Sequence, residues 1–242
     1  MNKIKLNKYQ NNLSCFAILV LMLFCLGTSG CAKTLYSVNM NYNAEGANIP
    51  EYLKSNKEQK NEITVAGFVD ARKVDDSVII GYVVEKDGTK NLVFPKYTKP
   101  IQAVTSGIKK YLTKAGYKTS ITAGHWNLQE KTMPKSDSKL IVGGSIDEME
   151  IVCRKGFPTD SYKATVKLTI VLADPAKENI LLKSSVESRT SLEHVSFSVA
   201  RMEEQINTAL GDAIEKNFED KKVAQKLKEV MAEQRDLIPR TE

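Results

Sequence analysis

The sequence predicts an α+β fold: an antiparallel β-sheet with two helices packed on one face, in the order β-ββ-α-βββ-α, followed by a C-terminal helical tail. Three observations carry this expectation. The segment Tyr162–Leu172 alternates strictly, with Tyr162, Ala164, Val166, Leu168, Ile170 and Leu172 on one face and Lys163, Thr165, Lys167 and Thr169 on the other. A strand with one apolar and one wet face belongs to an antiparallel sheet. Two segments, 100–115 and 198–218, instead repeat apolar residues at threes and fours, the period of an amphipathic helix.

The first thirty residues read as a targeting segment and are set aside from the fold. Lys3, Lys5 and Lys8 form a positive start with no acid among them, and an apolar run from Leu13 to Leu26 follows. That run is shorter than the roughly 20 apolar residues a membrane-spanning helix needs. Gly27-Thr28-Ser29-Gly30-Cys31 comes next, and it resembles the lipobox of bacterial lipoprotein precursors, with Thr28 where the pattern usually has Leu. The resemblance implies signal cleavage between Gly30 and Cys31, diacylglyceryl attachment to the Cys31 sulfur and membrane anchoring by acyl chains such as palmitate. Ala32, at the sorting position where Asp favours the inner membrane, implies the outer membrane with the protein facing the periplasm. The other reading is an ordinary signal peptide with Cys31 an incidental thiol.

Cysteine usage bears on that choice. Cys15 and Cys25 leave with the signal segment, so the mature chain keeps Cys31 and Cys153. If Cys31 is acylated, Cys153 has no partner in its own chain, and it reads as a small strand residue. The net charge is +6, of which Lys3, Lys5 and Lys8 supply three, leaving +3 on the mature chain. Lysines and acids are interleaved, with no basic stripe, so no nucleic-acid partner is inferred.

Residues 31–61 are expected to be the lipidated N-terminus and a tether, being polar and broken by Asn39, Asn41, Asn43, Gly46 and Pro50, although 34–42 alternates enough for an edge strand. The globular domain, 62–219, opens with the β-branched run Ile63–Asp70. Strands at 78–84 and 92–94 flank Asp87-Gly88, a hairpin signal because both residues tolerate positive φ. Pro100 starts a helix with Ile101, Val104, Ile108, Leu112 and Ala115 as its stripe, and Gly116 is placed to cap it. A short strand at 117–122 precedes a loop, 123–138, and strands follow at 139–152, 162–172 and 179–190. The last helix uses Val199, Met202, Ile206, Leu210, Ala213 and Phe218. Residues 220–242 form an amphipathic tail that either packs on the domain or reaches a partner.

With these elements placed, the chain resembles the YajG-like bacterial lipoproteins. The matching pieces are Cys31 with its polar tether, Ile63-Thr64-Val65, Leu112-Thr113-Lys114-Ala115-Gly116-Tyr117, Lys139–Gly144 leading into Ile146-Asp147-Glu148-Met149, and the helix around 206–214. The resemblance implies an outer-membrane lipoprotein and transfers no catalytic residue.

No catalytic constellation is found. His125 and His194 stand in no metal-ligand spacing, so no metal or cofactor is assigned. Gly143-Gly144 lies inside a strand and marks a bulge or a close approach rather than a phosphate loop. Asp147, Glu148 and Glu150 are the densest polar cluster, either acid/base or cation chemistry or a solvated strand end. His194 is either a pH-sensitive contact or a capping residue. Trp126 is the candidate partner contact, the alternative being that it covers one end of the core. The function expected is non-catalytic: an accessory or binding subunit of a cell-envelope complex, held to the membrane by lipid. The alternative is a small-ligand or lipid-binding lipoprotein with a cavity between sheet and helices.

Overall fold

A computed structural model describes residues 34–55 and 62–232. Its organising element is the strand β7 (Leu140–Arg154), to which the rest of the sheet is attached. Along one edge it pairs antiparallel with β8 (Asp160–Asp174), which pairs antiparallel with β9 (Asn179–His194). Along its other edge three short strands lie end to end, all parallel to it: β2 (Glu62–Gly67), β3 (Val69–Asp70) and β4 (Gly81–Val84). Beyond β2 lies β6 (Lys118–His125), again parallel. Beyond β4 come β5 (Lys90–Pro95), antiparallel, and β1 (Tyr36–Val38), parallel to β5.

The nine-stranded sheet is therefore mixed, which corrects the antiparallel expectation. The helix α1 (Pro100–Lys114) supplies the reason, because it carries the chain back between β2 and β6, and a parallel pair needs such a crossover. β2 shows the accompanying burial: Ile63, Thr64, Val65 and Ala66 are all buried, so both faces of this strand are covered.

Three helices, not two, contribute to the core: α1, α2 (Val199–Glu219) and α3 (Lys221–Ala232). α1 ends in a Schellman cap. Gly116, at φ 93°, lets its amide reach the Thr113 carbonyl at 3.0 Å while the Tyr117 amide reaches that of Leu112 at 3.1 Å. The layer between sheet and helices is filled by Ile108, Tyr111, Leu112, Ile206, Leu210 and Phe218, the Tyr111 and Phe218 rings stacked at 5.5 Å. Ile101, expected in the stripe of α1, instead lies 38 % exposed.

Two segments take one of the alternatives left open by the sequence. Residues 36–55 lie along the domain, with β1 as an edge strand. Val38, Met40 and Tyr42 are buried, and the backbone between them is satisfied by α2 side chains: Glu203 accepts from the Asn39 amide at 2.9 Å and Asn207 from that of Asn41 at 2.8 Å. The tail begins as α3, which buries Val223, Ala224, Leu227 and Met231 against the domain.

Candidate functional site

The side of the sheet away from the helices divides into two regions. At one end the loop 126–138 covers it. Trp126, Ala66, Ile141, Val171 and Ala173 form a second, small apolar cluster there, flanked by Leu128, Met133 and Ile180. Trp126 is fully buried and donates its indole N–H to the Gln129 carbonyl at 2.8 Å. It lies over Gly143, where a Cβ would come within 2.6 Å of the ring, so the glycine is required by close approach. Trp126 therefore covers one end of the core and presents no surface to a partner, a correction to its candidacy as a contact residue.

At the other end the sheet stays open and meets a cleft of about 760 Å³. The segment 71–82 makes one wall, and Asp147–Glu150 with Lys167 the floor. The wall is held by Arg72, whose side chain is only 2 % exposed. Its guanidinium donates to both carboxylate oxygens of Asp70 at 2.8 and 2.7 Å, to the Ser77 carbonyl at 2.6 Å and to that of Ile79 at 3.1 Å. The bidentate geometry and buried position make this the strongest polar anchor of the site. Hydrogen bonding from Arg72 holds the Asp70 carboxyl below its usual range, against the opposing effect of burial.

The three floor carboxylates have different surroundings. A β-bulge between Ile146 and Glu148 turns Asp147 aside, and it accepts from Ser145 Oγ and Thr169 Oγ1, both at 2.6 Å. Glu148 lies opposite Lys167, and Lys167 opposite Glu187, in cross-strand register. Burial pushes the Glu150 carboxyl up, Glu148 adds to the shift, and the Tyr82 hydroxyl and Lys90 oppose it. The floor thus offers carboxylates, with that of Glu150 raised, to a ligand bearing hydrogen-bond donors or positive charge. It pairs no nucleophile with a base, and no group of three or more metal-ligating side chains occurs among the described residues.

His194 does not join this cluster. His194 pairs with Asp160 across β8 and β9, seven residues from Lys167 along β8, or about 23 Å at the rise of an extended strand. Arg201 approaches His194 Nε2 at 2.8 Å. Arginine only donates, so Nε2 accepts in this contact, while Nδ1 faces the Ser196 amide, which donates to it at 3.2 Å, and the Ser196 carbonyl at 3.3 Å. His194 thus fastens the turn before α2 through Ser196 and Arg201 and does not cap the helix, whose N-cap is Ser198. The backbone of His125 ends β6 opposite Gly67. That strand runs farther than the expected 117–122 and takes in the start of the expected loop. Cys153 is free and fully buried, and burial pushes its thiol up to about 11. Gly30 and Cys31 lie outside the described residues.

Sequence reasoning missed Arg72. Its signal is local: the acid and base of Asp70-Ala71-Arg72 fall two apart at the end of a strand, before a polar loop that must be fastened.

No family model and no curated protein sequence matches the chain. Among solved structures, it is similar to a Xanthomonas campestris protein of family DUF330, at 12 % identity over 81 % of this chain and 98 % of that one, with a TM-score of 0.49. It is also similar to PelC from Paraburkholderia phytofirmans, crystallised as a dodecamer, at 10 % identity over 66 % and 87 %, TM-score 0.35. Lipoprotein GNA1162 from Neisseria meningitidis follows at 11 % identity over 63 % and 96 %, TM-score 0.35. Similarities this low assign no activity. Among the described residues no helix is long and apolar enough to cross a membrane.

Proposed function

We propose that this chain is a non-catalytic bacterial lipoprotein of the YajG-like kind, anchored by lipid on Cys31 at the periplasmic face of the outer membrane, where it serves as a binding subunit of a cell-envelope complex. The observation that carries this reading is the run Leu26-Gly27-Thr28-Ser29-Gly30-Cys31 behind a positive start and an apolar stretch. The domain then begins five residues later at Tyr36. Three features support a binding role over a catalytic one. Both oxygens of Asp147 accept from hydroxyl groups, His194 stands apart from the carboxylates, and the cleft fastened by Arg72 is lined by charged side chains of both signs.

A ligand-binding lipoprotein would need a cavity between sheet and helices. Packed side chains occupy that layer, which favours the binding-subunit reading.

The test is affinity purification of the native lipidated protein in mild detergent, with Cys31→Ala as the mislocalised control, and mass spectrometry of bound proteins and lipids. A stoichiometric envelope protein is expected with the wild type, and its recovery is expected to fall for a cleft variant, Lys167→Glu. Recovery of an enriched small molecule with no protein would overturn the binding-subunit reading.

A further inference from the structure

At one end of the sheet, three turns converge on β1. Tyr36 of β1 sets its ring 5.2 Å from that of Phe197, in the turn between β9 and α2. Its hydroxyl lies 3.1 Å from Lys155 Nζ, in the β7–β8 turn, and 3.2 Å from Glu85, in the β4–β5 turn. Two residues beyond Lys155 stands Phe157, and two before Phe197 stands Val195. These side chains are 93 % and 76 % exposed, and Leu35, next to Tyr36, is 66 % exposed. Of the four most exposed large apolar residues among those described, these three share this pole, while the fourth, Tyr97, follows the far end of β5.

The chain connects this pole to the anchor. β1 runs parallel to β5, so Leu35 precedes Tyr36 on the Lys90 side, where the three turns lie. Cys31 is five residues from Tyr36. Whatever their conformation, five residues span at most about 18 Å. An acyl chain on Cys31 begins at the boundary between headgroups and hydrocarbon, so the pole is confined to the neighbourhood of the same surface.

We propose that this pole, through Phe157, Val195 and Leu35, is seated on the lipid surface, so that the domain stands end-on with its open sheet face and cleft held clear of the bilayer. The proposal rests on the lipoprotein reading of Cys31. Apolar tips placed at the interfacial depth gain by leaving water. Charges around them nearly balance, with Lys86, Lys90 and Arg154 against Asp87 and Glu193 and with Lys155 paired to Glu85. Seating therefore requires no anionic lipid.

The test uses the full lipidated protein in vesicles of phosphatidylethanolamine and phosphatidylglycerol, and again in phosphatidylcholine alone. An environment-sensitive fluorophore is attached at Phe157→Cys, at Val195→Cys and, as the far-pole reference, at Ala176→Cys in the β8–β9 turn. Intact-mass measurement reports acylation of Cys31 in each sample. Expected is a blue-shifted emission at 157 and 195 in both vesicle types, with quenching by headgroup-level nitroxide lipid about threefold above that at 176. Equal quenching at all three positions in protein shown to be acylated would overturn the seating. An unacylated chain that binds vesicles and still shows the 157 and 195 signals would support the seating and overturn the lipoprotein reading. An unacylated chain without those signals would overturn both.

Discussion

Replacing Arg72 with methionine removes the cation buried under the cleft wall. The change leaves the Asp70 carboxylate, 17 % exposed at its side chain, without its bidentate partner, and strips the Ser77 and Ile79 carbonyls of their donor. Breaking a buried pair by deleting one member costs roughly 3–5 kcal/mol, because the surviving charge stays uncompensated. For a domain of this length each kcal/mol lowers Tm by about 2–4 °C, so Arg72→Met is expected to melt roughly 6–20 °C below wild type. Urea unfolding followed by circular dichroism at pH 7 reads the loss, and the double variant Asp70→Asn, Arg72→Met is expected to recover part of it because no orphan charge remains. The acid limb adds an independent check. The Asp70 carboxyl is depressed in the folded state, so its contribution is complete above its unfolded pKa and is lost as pH falls through the folded value. Wild type is thus expected to lose stability on acidification more steeply than Arg72→Met. A loss below about 1 kcal/mol, the range of surface ion pairs, with an unchanged acid limb, would refute the claim that Arg72 fastens the wall.

Other outcomes follow from the same geometry. The Tyr111 hydroxyl is buried without a hydrogen-bond partner among the described residues, so Tyr111→Phe is expected to raise stability by about 1 kcal/mol in urea unfolding. Gly143→Ala forces a methyl group against the Trp126 ring and is expected to cost about 1–3 kcal/mol and to shift the tryptophan emission to the red. Glu150 has a raised folded pKa, so its effect on stability declines as pH rises through that value, and Glu150→Gln is expected to be more stable than wild type at neutral pH by thermal melting. Cys153 is expected to resist a thiol reagent at pH 8 in the native state and to react fully once the chain is unfolded.

Legibility in the sequence tracked how local each cause was. The alternation of β8 and the three-four spacing of α2 are local patterns, and both elements lie where those patterns place them. The parallel pairing of β2 was less visible because it depends on α1 returning the chain to the same side of the sheet. Its local trace is the unbroken burial of Ile63 to Ala66, easily taken for alternation in so short a strand. Residues 38–42 do alternate, with Val38, Met40 and Tyr42 inward, but Asn39 and Asn41 suggested a linker. Their amides are satisfied by Glu203 and Asn207 from the far end of the chain, a contact that spacing does not announce. Trp126 illustrates the same limit. A glycine-flanked tryptophan in a polar loop reads equally as an anchor or a lid, and Gly143, which makes room for the ring, decides for the lid. The polar cluster at 147–150 was legible as residues but not as chemistry, since the bulge that turns Asp147 toward Ser145 and Thr169 is a property of the pairing with β8.

Lipidation of Cys31 underlies the proposed anchoring, and mass spectrometry of the mature protein isolated from its native membrane tests it most directly. The predicted result is an N-terminus at Cys31 carrying a diacylglyceryl group on sulfur, with Cys153 as the one titratable thiol after unfolding. A chain that begins elsewhere, or that begins at Cys31 with both thiols free, would contradict it.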